Sequence, residues 1–102
     1  MTFEQGNIIK INDIKNAHFV IVSKNAFIKA TGMFHVCPVI KASNPGPLHI
    51  NVSGQKGFSG TVICEQIKLI DPSARACTKT DHLPYGDIME VSDALQGVFE
   101  YD

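Results

Sequence analysis

Between residues 7 and 70 the chain is a series of short apolar runs separated by polar or turn-forming residues. NIIKIN (7–12) and FVIVS (19–23) are rich in β-branched side chains, and only the short polar stretch DIKNAH lies between them, which predicts a hairpin. KNAFIKATG (24–32) reads as a helical turn or loop. MFHVCPVI (33–40) reads as a strand that sits at a sheet edge or ends at Pro38, because proline cannot donate to a ladder. SNPGP (43–47) is a turn cluster, LHINV (48–52) a fourth strand, and SGQKGFSG (53–60) a glycine-bearing loop. The last run, TVICEQIKLI (61–70), reads as one strand carrying Glu65 and Gln66 in its middle. Short strands and frequent turns predict a small barrel or curled sheet rather than a parallel α/β sheet.

The period changes after Arg75. From Pro84 onward, Ile88, Val91, Leu95, Val98 and Phe99 recur at spacings of three and four, which places them on one face of a terminal helix packed on the sheet. Pro84 and Asp87 suit its amino terminus, where proline loses no hydrogen bond and a carboxylate meets the positive end of the helix dipole. Asp71 and Pro72 form a similar pair and read as a cap and first helical residue. With no internal repeat, low-complexity tract or linker, residues 1–102 form one domain of mainly β architecture with a carboxy-terminal helix.

Composition narrows the functions. Nine lysines and arginines against ten aspartates and glutamates give a net charge of -1, which excludes a broad basic surface for non-specific nucleic-acid binding. Arg75 is the sole arginine. Cys37, Cys64 and Cys77 cannot all pair within the chain and match no zinc spacing, so reduced thiols and a cytoplasmic setting are expected. The amino terminus shows no leader pattern, and no apolar run is long enough to span a membrane. Phosphate-binding glycine loops, zinc-protease helices, nucleophile elbows and paired-cysteine motifs are all absent from the sequence. Two readings of Glu65 stand side by side. On the open face of a curled sheet it is a proton acceptor with Gln66 positioning the substrate; on the outer face of the strand it is a solvated carboxylate.

VICEQIKLIDPSAR (62–75) resembles the most recognisable stretch of the PemK/MazF family of toxin endoribonucleases from bacterial toxin–antitoxin pairs, a hydrophobic strand with Asp-Gln followed by Ile-Asp-x-x-Ala-Arg. QGNIIKIN (5–12) is similar to the family's first strand, VIVSKNAF (20–27) to its second strand and turn, HVCPVI (35–40) to its third strand, and LPYGDIMEVSDAL (83–95) to its closing helix. The resemblance implies an SH3-like barrel with a terminal helix, a homodimer with a groove for single-stranded RNA, and cleavage without a metal or other cofactor. It also implies 2′,3′-cyclic phosphate ends, a small antitoxin as partner, operator DNA contacted only through the antitoxin complex, and no membrane. Carried over by position, Glu65 stands for the family's aspartate, Gln66 for its glutamine and Arg75 for its arginine after the motif, the last two as RNA contacts. The family's catalytic arginine falls at Ala17, and its threonine or serine after the third strand falls at Ile40 and Lys41. His18 and Lys41, beside the two lost residues, are the candidate substitutes: an imidazole for proton transfer and a cation for the phosphate. With Glu65 they make the candidate catalytic set. A binding module that keeps the barrel but no longer cleaves is the second reading, and a topoisomerase poison of the same barrel class the third. His35 and His49 sit in apolar strands where they could line the groove, but are expected instead to be hydrogen-bonded, partly buried residues outside the site, and Cys64 a core residue.

Overall fold

The structure is a computed structural model in which residues 2–100 are described. Its elements run β1 (Asn7–Ile11), β2 (His18–Ile21), α1 (Asn25–Thr31), β3 (Phe34–Ile40), β4 (His49–Ser53), β5 (Ser59–Ile63), β6 (Lys68–Ile70), β7 (Cys77–His82) and α2 (Tyr85–Val98). The pairings are antiparallel, in the order β4-β5-β3-β2-β1-β7, with β6 beside β3. The expected hairpin forms, with Ile8 opposite Val20 and Ile9 opposite Phe19. KNAFIKATG becomes the short helix α1, closed by Gly32 in the left-handed region with its N–H on the Ile28 carbonyl.

Strand β3 organises the sheet and corrects two expectations. Pro38 lies inside it, opposite Phe19 of β2, rather than at an edge or end. On the other side of β3, Val39 and Ile40 pair with β5, whereas Phe34, His35 and Val36 pair with β6. Val22 donates to the His35 carbonyl, so strand alternation turns the nitrogen of Pro38 away from β2, toward the break between β5 and β6. No ladder bond is lost there. The run at 61–70 is therefore two strands: β5 stops at Ile63, Gln66 donates to the Ile63 carbonyl, and Glu65 sits in the turn rather than in a strand.

Alternation sends apolar side chains to both sides of the sheet. One cluster, with Ile8, Val20, Val39, Val62 and Leu83, is covered by Val91 and Leu95 of α2; the other, with Ile9, Phe19, Ile21, Phe34, Val36 and Ile70, packs Ile28 of α1 and Phe3 against it. Val98 and Phe99, expected on the buried face, are exposed: Val98 is the last residue of α2 and Phe99 lies beyond it. Asp87 is in the first turn of α2 as expected, and its carboxylate also accepts the Ser53 N–H of β4 at 2.9 Å. Asp71 and Pro72 start no helix: Asp71 accepts from the Ser73 N–H and hydroxyl, and its carbonyl takes the N–H groups of Ala74 and Arg75, which makes a turn.

The sheet curls until its ends meet. Buried Asp81 of β7 accepts N–H bonds from Lys56 at 2.8 Å and Phe58 at 2.9 Å in the β4–β5 loop, and from His82 at 2.7 Å, while Gln55 donates to the His82 carbonyl. A Cβ at Gly54 would come within 2.5 Å of the Asp81 carboxyl carbon, so the loop approaches β7 only with glycine there. The Asp81 carboxyl is pushed up by burial but brought below the ordinary aspartate value by its three N–H donors. Cys64 is a core residue, as expected. Burial pushes the thiols of Cys37 and Cys64 up to about 12 and about 11, which leaves them inert.

Candidate functional site

Strand register brings His18 and Lys41 to one place. His18 opens β2 opposite Val39, and Lys41 follows Ile40 at the end of β3. With Lys10, Asn16, Ala17, Pro38, Val39 and Ile40 they line a pocket of about 510 Å³. Asn16 makes the turn into β2 with a positive φ of 59°, a conformation asparagine tolerates better than most residues. The two positions at which the resemblance loses its arginine and its threonine, Ala17 and Ile40, lie on the wall of this pocket.

Phe58 completes the arrangement. Its ring centre is 4.7 Å from that of His18, and the Lys41 ammonium stands 5.7 Å from the same ring. The Phe58 N–H is one of the donors held by Asp81, so the closure of the barrel fixes the ring on which His18 stacks. Burial, and then the charges of Lys41 and Lys10, hold the His18 imidazole below its ordinary pKa. At neutral pH the pocket thus presents a neutral imidazole together with two ammonium groups, an arrangement that suits a phosphate.

Glu65 does not line this pocket. Ile40 pairs with Thr61, so Lys41 lies beyond one end of that pairing, while Glu65 follows Ile63 at the other end of β5. Its partner is His49, the residue that sequence reasoning left out. His49 Nε2 lies 2.9 Å from Glu65 Oε2, and Nδ1 lies 2.9 Å from the Asn44 carbonyl. The bond to Glu65 raises the pKa of His49, and the same bond lowers that of Glu65. The hairpin was the available signal: His49 is opposite Ile63 in the β4–β5 register, and Glu65 follows two residues on. Gly46 shapes the other wall, since a Cβ there would meet His49 Nδ1 at 2.9 Å.

The remaining candidates lie apart. Gln66 is exposed in the β5–β6 turn. Arg75 Nη2 contacts both carboxylate oxygens of Asp13, at 3.1 and 3.2 Å, which ties the β6–β7 loop to the β1–β2 loop. His35 shares two hydrogen bonds with Ser23, as expected of a structural histidine. Among the described residues no three histidine, cysteine, aspartate or glutamate side chains gather as a metal site, and no helix is long and apolar enough to cross a membrane.

Comparison with known proteins covers almost the entire chain. Residues 5–99 match the family model described as PemK-like, MazF-like toxin of type II toxin–antitoxin system. Among solved structures, the chain is similar to MazE–MazF of Deinococcus radiodurans in one crystal form (20% identity, 96% of each chain, TM-score 0.82). It is also similar to a second form (19% identity, 100% of this chain and 99% of that one, TM-score 0.83). A further similar structure is an endoribonuclease in complex with its cognate antitoxin from a mycobacterial species (13% identity, 99% and 100% coverage, TM-score 0.80). No match was found among curated proteins.

Proposed function

The chain belongs to the family of PemK-like, MazF-like toxins of type II toxin–antitoxin systems, whose members are endoribonucleases, and from that premise we propose that it cuts single-stranded RNA without a metal. The observation that carries the proposal is the convergence of Lys10, His18 and Lys41 on the pocket walled by Ala17 and Ile40. This chain places positive charge and an imidazole of its own where the resemblance loses the family's arginine and threonine.

In this reading the ribose 2′-hydroxyl attacks the adjacent phosphorus, which yields a 2′,3′-cyclic phosphate and a 5′-hydroxyl. Glu65, at the position of the family's carboxylate, takes the 2′ proton. Lys41 and Lys10 offset phosphate charge in the pocket, neutral His18 donates its one N–H to the phosphate there, and the leaving 5′-oxygen takes up a proton from water. Glu65 lies in the β5–β6 turn, outside the pocket lining, so the RNA would have to present the 2′-hydroxyl to Glu65 and the adjacent phosphate to the pocket. Gln66 would contact the bases or sugar, whereas a phosphate reaching Arg75 would share it with Asp13. A homodimer acting in the cytoplasm and a cognate antitoxin complete the reading; the antitoxin complexes among the similar structures support the latter.

The test is incubation of the purified protein, and of Glu65→Gln, His18→Ala and Lys41→Ala, with a long single-stranded RNA in excess EDTA, followed by mapping of the fragment ends. Discrete cuts with cyclic phosphate ends that disappear in Glu65→Gln support the proposal. A binding module without cleavage is the second reading, favoured by the engagement of the sole arginine with Asp13 and by Ala17 at the family's arginine position. A folded protein that binds the RNA and leaves it intact would establish it.

A further inference from the structure

Both ring nitrogens of His49 face groups that only accept hydrogen bonds: the Asn44 carbonyl at Nδ1 and the Glu65 carboxylate at Nε2. A neutral imidazole has one N–H and can satisfy one of them; the imidazolium satisfies both. The site is built to hold that ring. His49 is mostly buried, with 16% of its side chain exposed against 45% for Glu65. The turn Asn44–Pro45–Gly46–Pro47 wraps it, the His49 N–H reaches the Gly46 carbonyl, and the bare Cα of Gly46 makes room for the imidazole.

We infer that His49, as an imidazolium, is the positioning residue for Glu65: it pins Oε2 of the carboxylate and ties it to the β3–β4 loop through Asn44, leaving Oε1 as the oxygen available to a substrate hydroxyl. The inference rests on the ribonuclease reading for its effect on catalysis, but the pairing itself is measurable without RNA. Glu65 is the charged group facing the ring from the β5–β6 turn, and the β3–β4 loop presents only the carbonyls of Asn44 and Pro45. A raised His49 pKa and a lowered Glu65 pKa follow from this arrangement, and their signs bound a pH window. The clasp is complete once Glu65 ionises, and it is lost as pH rises through the raised His49 value. At that point the ring can keep only one of its two bonds.

The experiment is ring-nitrogen NMR of His49 across a pH titration in the intact protein and in Glu65→Gln, combined with pH profiles of RNA cleavage for wild type, His49→Ala, His49→Gln and Gly46→Ala. The expected result is a ring protonated on both nitrogens below a midpoint that lies above the ordinary histidine value in the wild type and returns toward it in Glu65→Gln. The alkaline limb of kcat should fall at the same midpoint. His49→Ala should lower kcat by about 10- to 100-fold with little change in KM and flatten that limb. His49→Gln, which keeps one donor, should recover part of the loss, and Gly46→Ala should displace the ring and act in the same direction. An ordinary midpoint that does not move in Glu65→Gln overturns the inference at the level of the pair. An unchanged kcat and alkaline limb in His49→Ala, with cleavage abolished in Glu65→Gln, overturns the positioning role while the ribonuclease reading stands. Undiminished cleavage in Glu65→Gln removes Glu65 from the reaction, and the positioning role falls with it.

Discussion

Asp81 is a buried carboxylate that three backbone N–H groups satisfy, two of them from a loop on the far edge of the sheet. Replacing it by alanine leaves those donors without an acceptor and opens the seam between β7 and the β4–β5 loop. Asp81→Ala should lose about 2–4 kcal/mol of stability, read from urea unfolding at neutral pH. The sign of the pH effect follows from its depressed pKa. The stabilisation is present above the ordinary aspartate value and is lost as pH falls through the lower folded one, so wild type and variant should converge in strong acid. Because Phe58 is held by the same carboxylate and stacks on His18, the variant should also weaken RNA binding. Lys41 can be tested separately. Lys41→Ala in a Glu65→Gln background, which prevents cleavage, should weaken single-stranded RNA binding and reduce the slope of log K against log salt by about 0.7, the share of one phosphate contact. An unchanged slope would remove Lys41 from the interface.

At the scale of elements, α2 shows what periodicity reports and where it stops. Val91 and Leu95 are buried against the sheet, as their spacing predicts, but the stripe stops being covered at the end of the helix, where Val98 is the last helical residue and Phe99 lies just past it, both exposed. Leu95→Ala should therefore cost about 2–4 kcal/mol, and Phe99→Ser, at a side chain 69% exposed, less than about 0.5, both by chemical denaturation. Equal losses at the two positions would mean that Phe99 is covered in solution. Most strands were legible because β-branched runs ended at glycine, proline or asparagine. Strand β7 was not: CTKTDH has no apolar alternation, with neighbouring Thr78 and Lys79 both exposed, and its place is set by pairing with β1 and by the Asp81 latch, both remote in sequence. The break at Glu65 was hidden for a similar reason. The flanking residues are as apolar as a continuous strand, and it is the divided partnership of β3, with proline at the division, that stops β5 at Ile63. The candidate site was legible where sequence neighbours carry it, in His18 and Lys41 beside two altered motif positions. It was not legible in His49, whose role exists only through the hairpin register that carries it to Glu65.

For the whole molecule, the net charge of -1 conceals a division along the chain. All nine lysines and arginines precede Asp81, alongside four acids, whereas six acids and no lysine or arginine occupy the rest. Helix α2 carries Asp87, Glu90 and Asp93, so a polyanion such as the RNA proposed above would meet attraction at the pocket of Lys10 and Lys41 and repulsion along the helix. A near-neutral total is therefore compatible with a local, oriented nucleic-acid site, and binding should be only modestly salt-dependent because few phosphates are contacted. The chemistry proposed for that site makes a demand that orientation alone does not. If the 2′-hydroxyl is the nucleophile, a single 2′-deoxy substitution at the cut nucleotide should abolish cleavage there and leave binding nearly unchanged, and EDTA should affect neither. The substitution removes the attacking oxygen but keeps the phosphate that Lys10 and Lys41 would hold. Cleavage persisting at the deoxy position would mean that another nucleophile is at work, and the roles assigned to Glu65 and His18 would then have to be reassigned around an activated water.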